Sequence, residues 1–128
     1  MTRLAAALFD PALMRPLFWM LLATALFFAL DPYPPGLPLD RLGDKAEHML
    51  AFAALTGTAN LAWPRAPAWR IALALSGFGA LIELLQAIPA LHRDADWRDW
   101  VADSAAIAAA TLLARGVLIR FAPRAPLP

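Results

Sequence analysis

The sequence predicts an all-α, polytopic membrane protein: one domain of 128 residues forming four transmembrane helices, at about 16–30, 46–63, 69–89 and 100–119. Three observations predict it. Hydrophobic residues make up 61% of the chain and charged residues only 16%, against about 25% charged in an ordinary soluble domain. Residues 17–30 and 71–82 carry no polar face, which a soluble bundle would need on every helix. Finally, the charge is segregated. Nine of the ten carboxylates, the only lysine and both histidines fall at one end of the expected bundle.

The elements follow in chain order. Asp10-Pro11 and Arg15-Pro16 are successive helix-start signals, so residues 1–15 read as a short amphipathic lead and helix one as 16–30. With Arg3 and Arg15 ahead of it, that run resembles a signal peptide, but no small-x-small site follows and a retained anchor is expected. Residues 31–43 hold four of the twelve prolines and two of the six glycines, the composition of an irregular loop. Asp31 and Asp40 read there as solvated charges. Helix two runs to Trp63-Pro64, where the tryptophan suits the membrane interface and the proline ends the helix. After a tight turn at Pro67, helix three runs from Trp69 to Ile88-Pro89. Residues 90–98 form a charged loop, and helix four starts near Asp99-Trp100. No uncharged run reaches about 18 residues, so the spans include polar residues near their ends, Glu83, Gln86, Asp103 and Arg115 among them.

Lysine and arginine counts give orientation. Arg3, Arg15, Arg65, Arg70, Arg115, Arg120 and Arg124 make seven on one side, and Arg41, Lys45, Arg93 and Arg98 make four on the other. Both termini are therefore expected in the cytoplasm and the acidic loops outside. Small residues recur at Ala102, Ala106 and Ala110 and at Ser76 and Ala80, a spacing that lets helices approach closely; alanine-rich composition accounts for it equally well.

Charge in or beside lipid is costly, so the charged end is the candidate site. Spacing of three or four places Asp44 and Lys45 with His48, Glu83 with Gln86, and Asp99 with Asp103 on common helix faces. At 1.5 Å per residue, Glu83, His48 and Asp103 each lie roughly 5–8 Å inside their helix ends. The candidate ligand-binding set is Asp44, Lys45, His48, Glu83, Gln86, Arg93, Asp96, Asp99 and Asp103. The single lysine among ten arginines points to a site needing a compact ammonium. A plainer alternative is that Lys45 or Arg93 pairs with Glu83 or Asp99 only to tie helices together.

Absent patterns exclude several classes. Without cysteine there are no disulfides or thiolate metal sites. No basic run suggests nucleic acid. Neither His-Glu-x-x-His nor His-x-x-x-His occurs, so no metal or other cofactor is expected, although His48, His92 and the carboxylates could serve a hard cation. Ser76 and Ser104 lack a nucleophile turn, a Pro-Ser-Gly-His phosphatase segment is missing, and His92-Arg93-Asp94 has no glycine-rich loop to make it a kinase motif.

Asp44-Lys45-x-x-His48, Glu83-x-x-Gln86, Arg93, Asp99 and Asp103 together resemble the VanZ-like family of small bacterial membrane proteins, named for an accessory factor in teicoplanin resistance. The resemblance covers about residues 40–112. It departs at Asp103, where the family usually has Asn, and at Ala106, where it usually has Gly. It implies a multi-pass protein of the bacterial inner membrane with an outward polar site. The resulting expectation is an accessory protein that binds an anionic lipid headgroup, a polyprenyl-linked precursor or a glycopeptide, with Lys45 and Arg93 meeting the anion. Two alternatives stay open. One is a membrane-embedded hydrolase or transferase with Glu83 or His48 as general base and Asp99 and Asp103 holding a cation. The other is a structural subunit of a membrane assembly.

Overall fold

Asp10 sets where the first helix begins. Its Oδ1 accepts from the Ala12 N–H at 2.9 Å, and its carbonyl accepts from Leu13 and Met14 at 3.1 Å each. Pro11 takes the first helical position, where a missing N–H costs nothing. In the computed structural model, which describes residues 10–33, 36 and 43–121, helix α1 accordingly spans Pro11–Leu30 with Pro16 inside it. This corrects the expected start near residue 16. The helix is capped at Asp10 and continues through Pro16, which forgoes one backbone bond.

Helix α2 covers Asp44–Ala62. It begins two residues before the expected start, directly after Gly43, whose φ of 87° lies where side chains are disfavoured. Helix α3 covers Ala68–Gln86, three residues short of the expected end. Pro89 forces Ile88 out of the helical region (φ −74°, ψ 118°), and Pro89–Leu91 makes one 3₁₀ turn instead. Helix α4 covers Trp97–Phe121. Its early start is the work of Asp96, which caps it: Oδ1 accepts from the Arg98 N–H at 2.9 Å and the carbonyl from Asp99 at 2.8 Å. Arg3, Asp40, Arg41 and Arg124 lie outside the described residues.

Among the described residues the four helices run up, down, up, down, with α2 packing mainly on α4 and α1, and α3 on α4. Since α2 and α4 both start at the charged end, they lie parallel and in register. The core is apolar and joins all four helices: Phe18, Phe52, Leu55, Leu75, Ile82 and Ile107 are its larger members. α3 and α4 also touch through Ser76 and Ser104, whose hydroxyls are 2.9 Å apart, and through the Trp100 indole N–H, which donates to the Ser76 carbonyl at 3.0 Å. The close approach is possible because residue 79 is glycine: a Cβ there would stand 3.3 Å from Phe52 and 3.5 Å from Trp100.

Outside, the surface is apolar. α1, α3 and α4 are each long and apolar enough to cross a membrane, and only 17–22% of each such stretch is buried in the protein. Trp19, Phe27, Leu73, Leu84, Leu112 and Ile119 all point outward. Water would penalise that surface heavily, whereas lipid does not. By length and composition this is a membrane protein. α2 is of similar length but more polar, and part of that polarity is packed inside the bundle. Thr56 and Asn60 are completely buried, and each donates to the backbone carbonyl four residues back, at 2.6 and 2.9 Å.

Candidate functional site at the charged end of the bundle

The parallel register of α2 and α4 brings charges together in pairs. Lys45 Nζ bonds Asp99 Oδ1. One turn deeper, His48 Nδ1 faces Asp103 Oδ2 at 3.8 Å. From α3, Glu83 joins the same layer, its Oε2 accepting the Asp96 N–H at 2.9 Å. Side-chain donor atoms of His48, Glu83 and Asp99 all lie within 4.8 Å of one another. Thus the Asp44–His48 segment and the Glu83 turn, expected to converge, lie within reach of one bridging water or ion.

The environment is uneven. Lys45 keeps 49% of its side chain exposed and Asp99 14%, whereas Asp103 keeps 3%. Asp103 Oδ1 is buried with no hydrogen-bond partner among the described residues, an arrangement that costs about 1–3 kcal/mol or more for a charged group. Three carboxylates thus face one ammonium and one imidazole, an arrangement that favours a cation over a bare anion at the innermost position.

Other candidates are placed differently. Gln86 is buried, but its Nε2 donates to the Ala29 carbonyl at 2.9 Å and so ties α3 to the end of α1. Asp96 serves as the helix cap described above. Arg93 is half-buried in the irregular segment after the 3₁₀ turn, and Asp94 is exposed. His92 takes a left-handed conformation, contacts the Ala90 carbonyl and stacks on Tyr33, with ring centroids 6.4 Å apart. Asp44 opens α2, and its side chain lies outside what the structure describes.

Two functional groups at the opposite end escaped sequence reading. Arg115, counted there as a flanking charge, reaches inward to three acceptors: Asn60 Oδ1 at 2.7 Å, the Pro64 carbonyl at 2.8 Å and the Ala66 carbonyl at 2.6 Å. Arg15 adds a bond to the Ala62 carbonyl at 3.3 Å. These guanidiniums satisfy the last carbonyl of α2 and two carbonyls of the turn that follows it. An arginine and an asparagine at like distance from the charged end of two apolar helices were the available signal. His48, Glu83 and Asp99 were each candidates in the sequence, but that they form one donor set is encoded in no single segment. Comparison with protein-family models, with curated proteins and with solved structures finds no match.

Proposed function

We propose that the chain is a VanZ-like integral membrane binding protein, holding the phosphate-bearing headgroup of a lipid or polyprenyl-linked envelope precursor at the outer face of a bacterial inner membrane. In this reading α2 is a fourth span, enclosed by its neighbours, and both termini are cytoplasmic. The observation that carries it is the meeting of Lys45, His48, Glu83, Asp99 and Asp103 from three helices at the charged end of the bundle. A tie between helices needs one ion pair, and such pairs add little stability. A buried carboxylate oxygen without a partner adds none. The half-exposed Lys45 ammonium can leave Asp99 for an anion arriving from the membrane surface. The resemblance of the Asp44–His48 and Glu83–Gln86 segments to the VanZ-like pattern supports the same reading, as does the seven-to-four distribution of Lys and Arg.

Native mass spectrometry of the detergent-solubilised protein tests it. Polyprenyl phosphate and phosphatidylglycerol are offered separately, each beside its uncharged counterpart, polyprenol or diacylglycerol. Retention of one phosphorylated lipid over its neutral counterpart is expected, and the pair that discriminates identifies the source. Equal retention of charged and neutral forms overturns the reading. Release of inorganic phosphate in the same mixture would mark catalysis by Glu83 or His48 instead of binding alone.

A further inference from the structure

A site that offers a phosphate three carboxylates and one lysine is short of positive charge. We propose that His48, Glu83 and Asp99 bind a divalent first-row cation, Zn²⁺ or Mn²⁺, which supplies it. The proposal deepens the headgroup reading and rests on it only for what the cation meets; the cation site itself stands on the geometry below.

Each of the three residues comes from a different helix, and the two carboxylates each keep a second oxygen. Glu83 commits Oε2 to the Asp96 N–H and leaves Oε1. Asp99 commits Oδ1 to Lys45 and leaves Oδ2. One ligand atom from each of His48, Glu83 and Asp99 already lies within 4.8 Å of the other two, while ligands around one such cation, bonded at about 2.0–2.2 Å, stand roughly 3–4 Å apart. Side-chain rotation closes that difference without moving a helix. One imidazole with two carboxylates suits Zn²⁺ or Mn²⁺ better than a soft ion, and three protein ligands leave coordination positions open.

A second, independent feature points to the same occupant. Asp103 is 2% exposed, its Oδ2 faces the imidazole Nδ1 at 3.8 Å, and its Oδ1 has no hydrogen-bond partner among the described residues. With the cation on Nε2, Nδ1 keeps its proton and donates toward Asp103. That is the carboxylate–histidine–metal arrangement, in which the outer carboxylate fixes the ring and raises its basicity. Asp103 is then a positioning residue, and its buried charge is answered by the cation beyond the ring.

Lys45 completes the account. Its ammonium lies on Asp99, where it competes with the incoming cation, and its exposed stem lets it leave. Cation binding therefore releases Lys45. The freed ammonium and the open metal positions then face a phosphate oxygen together.

The test titrates the full chain in detergent, stripped with EDTA and dialysed, with Zn²⁺ alone and with Mn²⁺ alone by calorimetry. Wild type is expected to bind one equivalent of at least one of them. His48→Gln and Glu83→Gln should each weaken it at least about tenfold, and Asp103→Asn about 10- to 100-fold at unchanged melting temperature. Lys45→Met should tighten it, a gain that a misfolded variant cannot give. Equal binding by wild type and Glu83→Gln, or weaker binding by Lys45→Met, overturns the proposal. Lipid retention in EDTA separates the two readings. If wild type retains phosphorylated lipid but binds neither metal, the cation is wrong and the headgroup reading stands. If one equivalent of metal binds and no phosphorylated lipid is retained with or without it, the headgroup reading falls and the cation site stands.

Discussion

His48 faces Asp103 at one end of the bundle, and twelve residues further along both helices Asn60 accepts from Arg115 at 2.7 Å. The two contacts lock α2 and α4 in one parallel register. A one-residue slip would turn His48 away from Asp103 and Arg115 away from Asn60 together. The polar end thus depends on a clamp at the far end of the same helix pair, where a guanidinium with three acceptors is satisfied.

If that clamp fixes the register, Asn60→Leu should lower detergent-solubilised stability by about 1–3 kcal/mol, because the half-buried guanidinium loses an acceptor. Thermal melting followed by circular dichroism measures it. An unchanged midpoint would mean that the carbonyls of Pro64 and Ala66 suffice.

Glycines two residues apart on α3 should respond with different signs. Gly77 has open space around it, so Gly77→Ala should gain up to about 1 kcal/mol from helix propensity. Gly79→Ala should forfeit that gain against the Phe52 ring, and Gly79→Val should cost about 1–3 kcal/mol by overpacking. Equal effects at the two positions would show that α3 and α2 can separate freely.

Asp96 was read from sequence as a ligand and is placed as a cap. Asp96→Ala should cost about 1 kcal/mol and leave lipid retention nearly intact, since the backbone N–H that Glu83 accepts is still present. Loss of retention with little loss of stability would return Asp96 to the binding set.

The sequence made the helix number, the loops and the charged layer legible, because apolar runs, prolines and segregated charge are local signals. Helix starts moved where a side chain decides them. Of the two start signals read at Asp10-Pro11 and Arg15-Pro16 the capped one at Asp10 prevails, and Asp96 starts the last helix early by recruiting the next backbone N–H groups. Gln86 shares a face with Glu83 in the sequence, yet at the helix end it reaches α1, and only the packing of α3 on α1 determines that. The Lys45–Asp99 and His48–Asp103 pairs needed the parallel register of α2 and α4, which no spacing within one segment encodes.

Orientation is checked with reporter fusions. Fusions after Pro35 and after Ala90 should report the extracytoplasmic side, and a fusion after Pro67 the cytoplasm. Reporters after Pro35 and Pro67 on the same side would deny that α2 crosses. The inverse pattern throughout would place the charged end inside.

The central claim is that the charged end binds a ligand and does more than join helices. Its most direct measurement is the affinity of wild type, Lys45→Met and Glu83→Gln for the retained phosphorylated lipid, alongside their melting temperatures. The account predicts that both variants melt close to wild type while each loses lipid affinity by about tenfold or more, equivalent to about 1.4 kcal/mol or more. Affinity that falls only in proportion to folded protein would contradict it and leave Lys45, Glu83 and Asp99 as ties between helices.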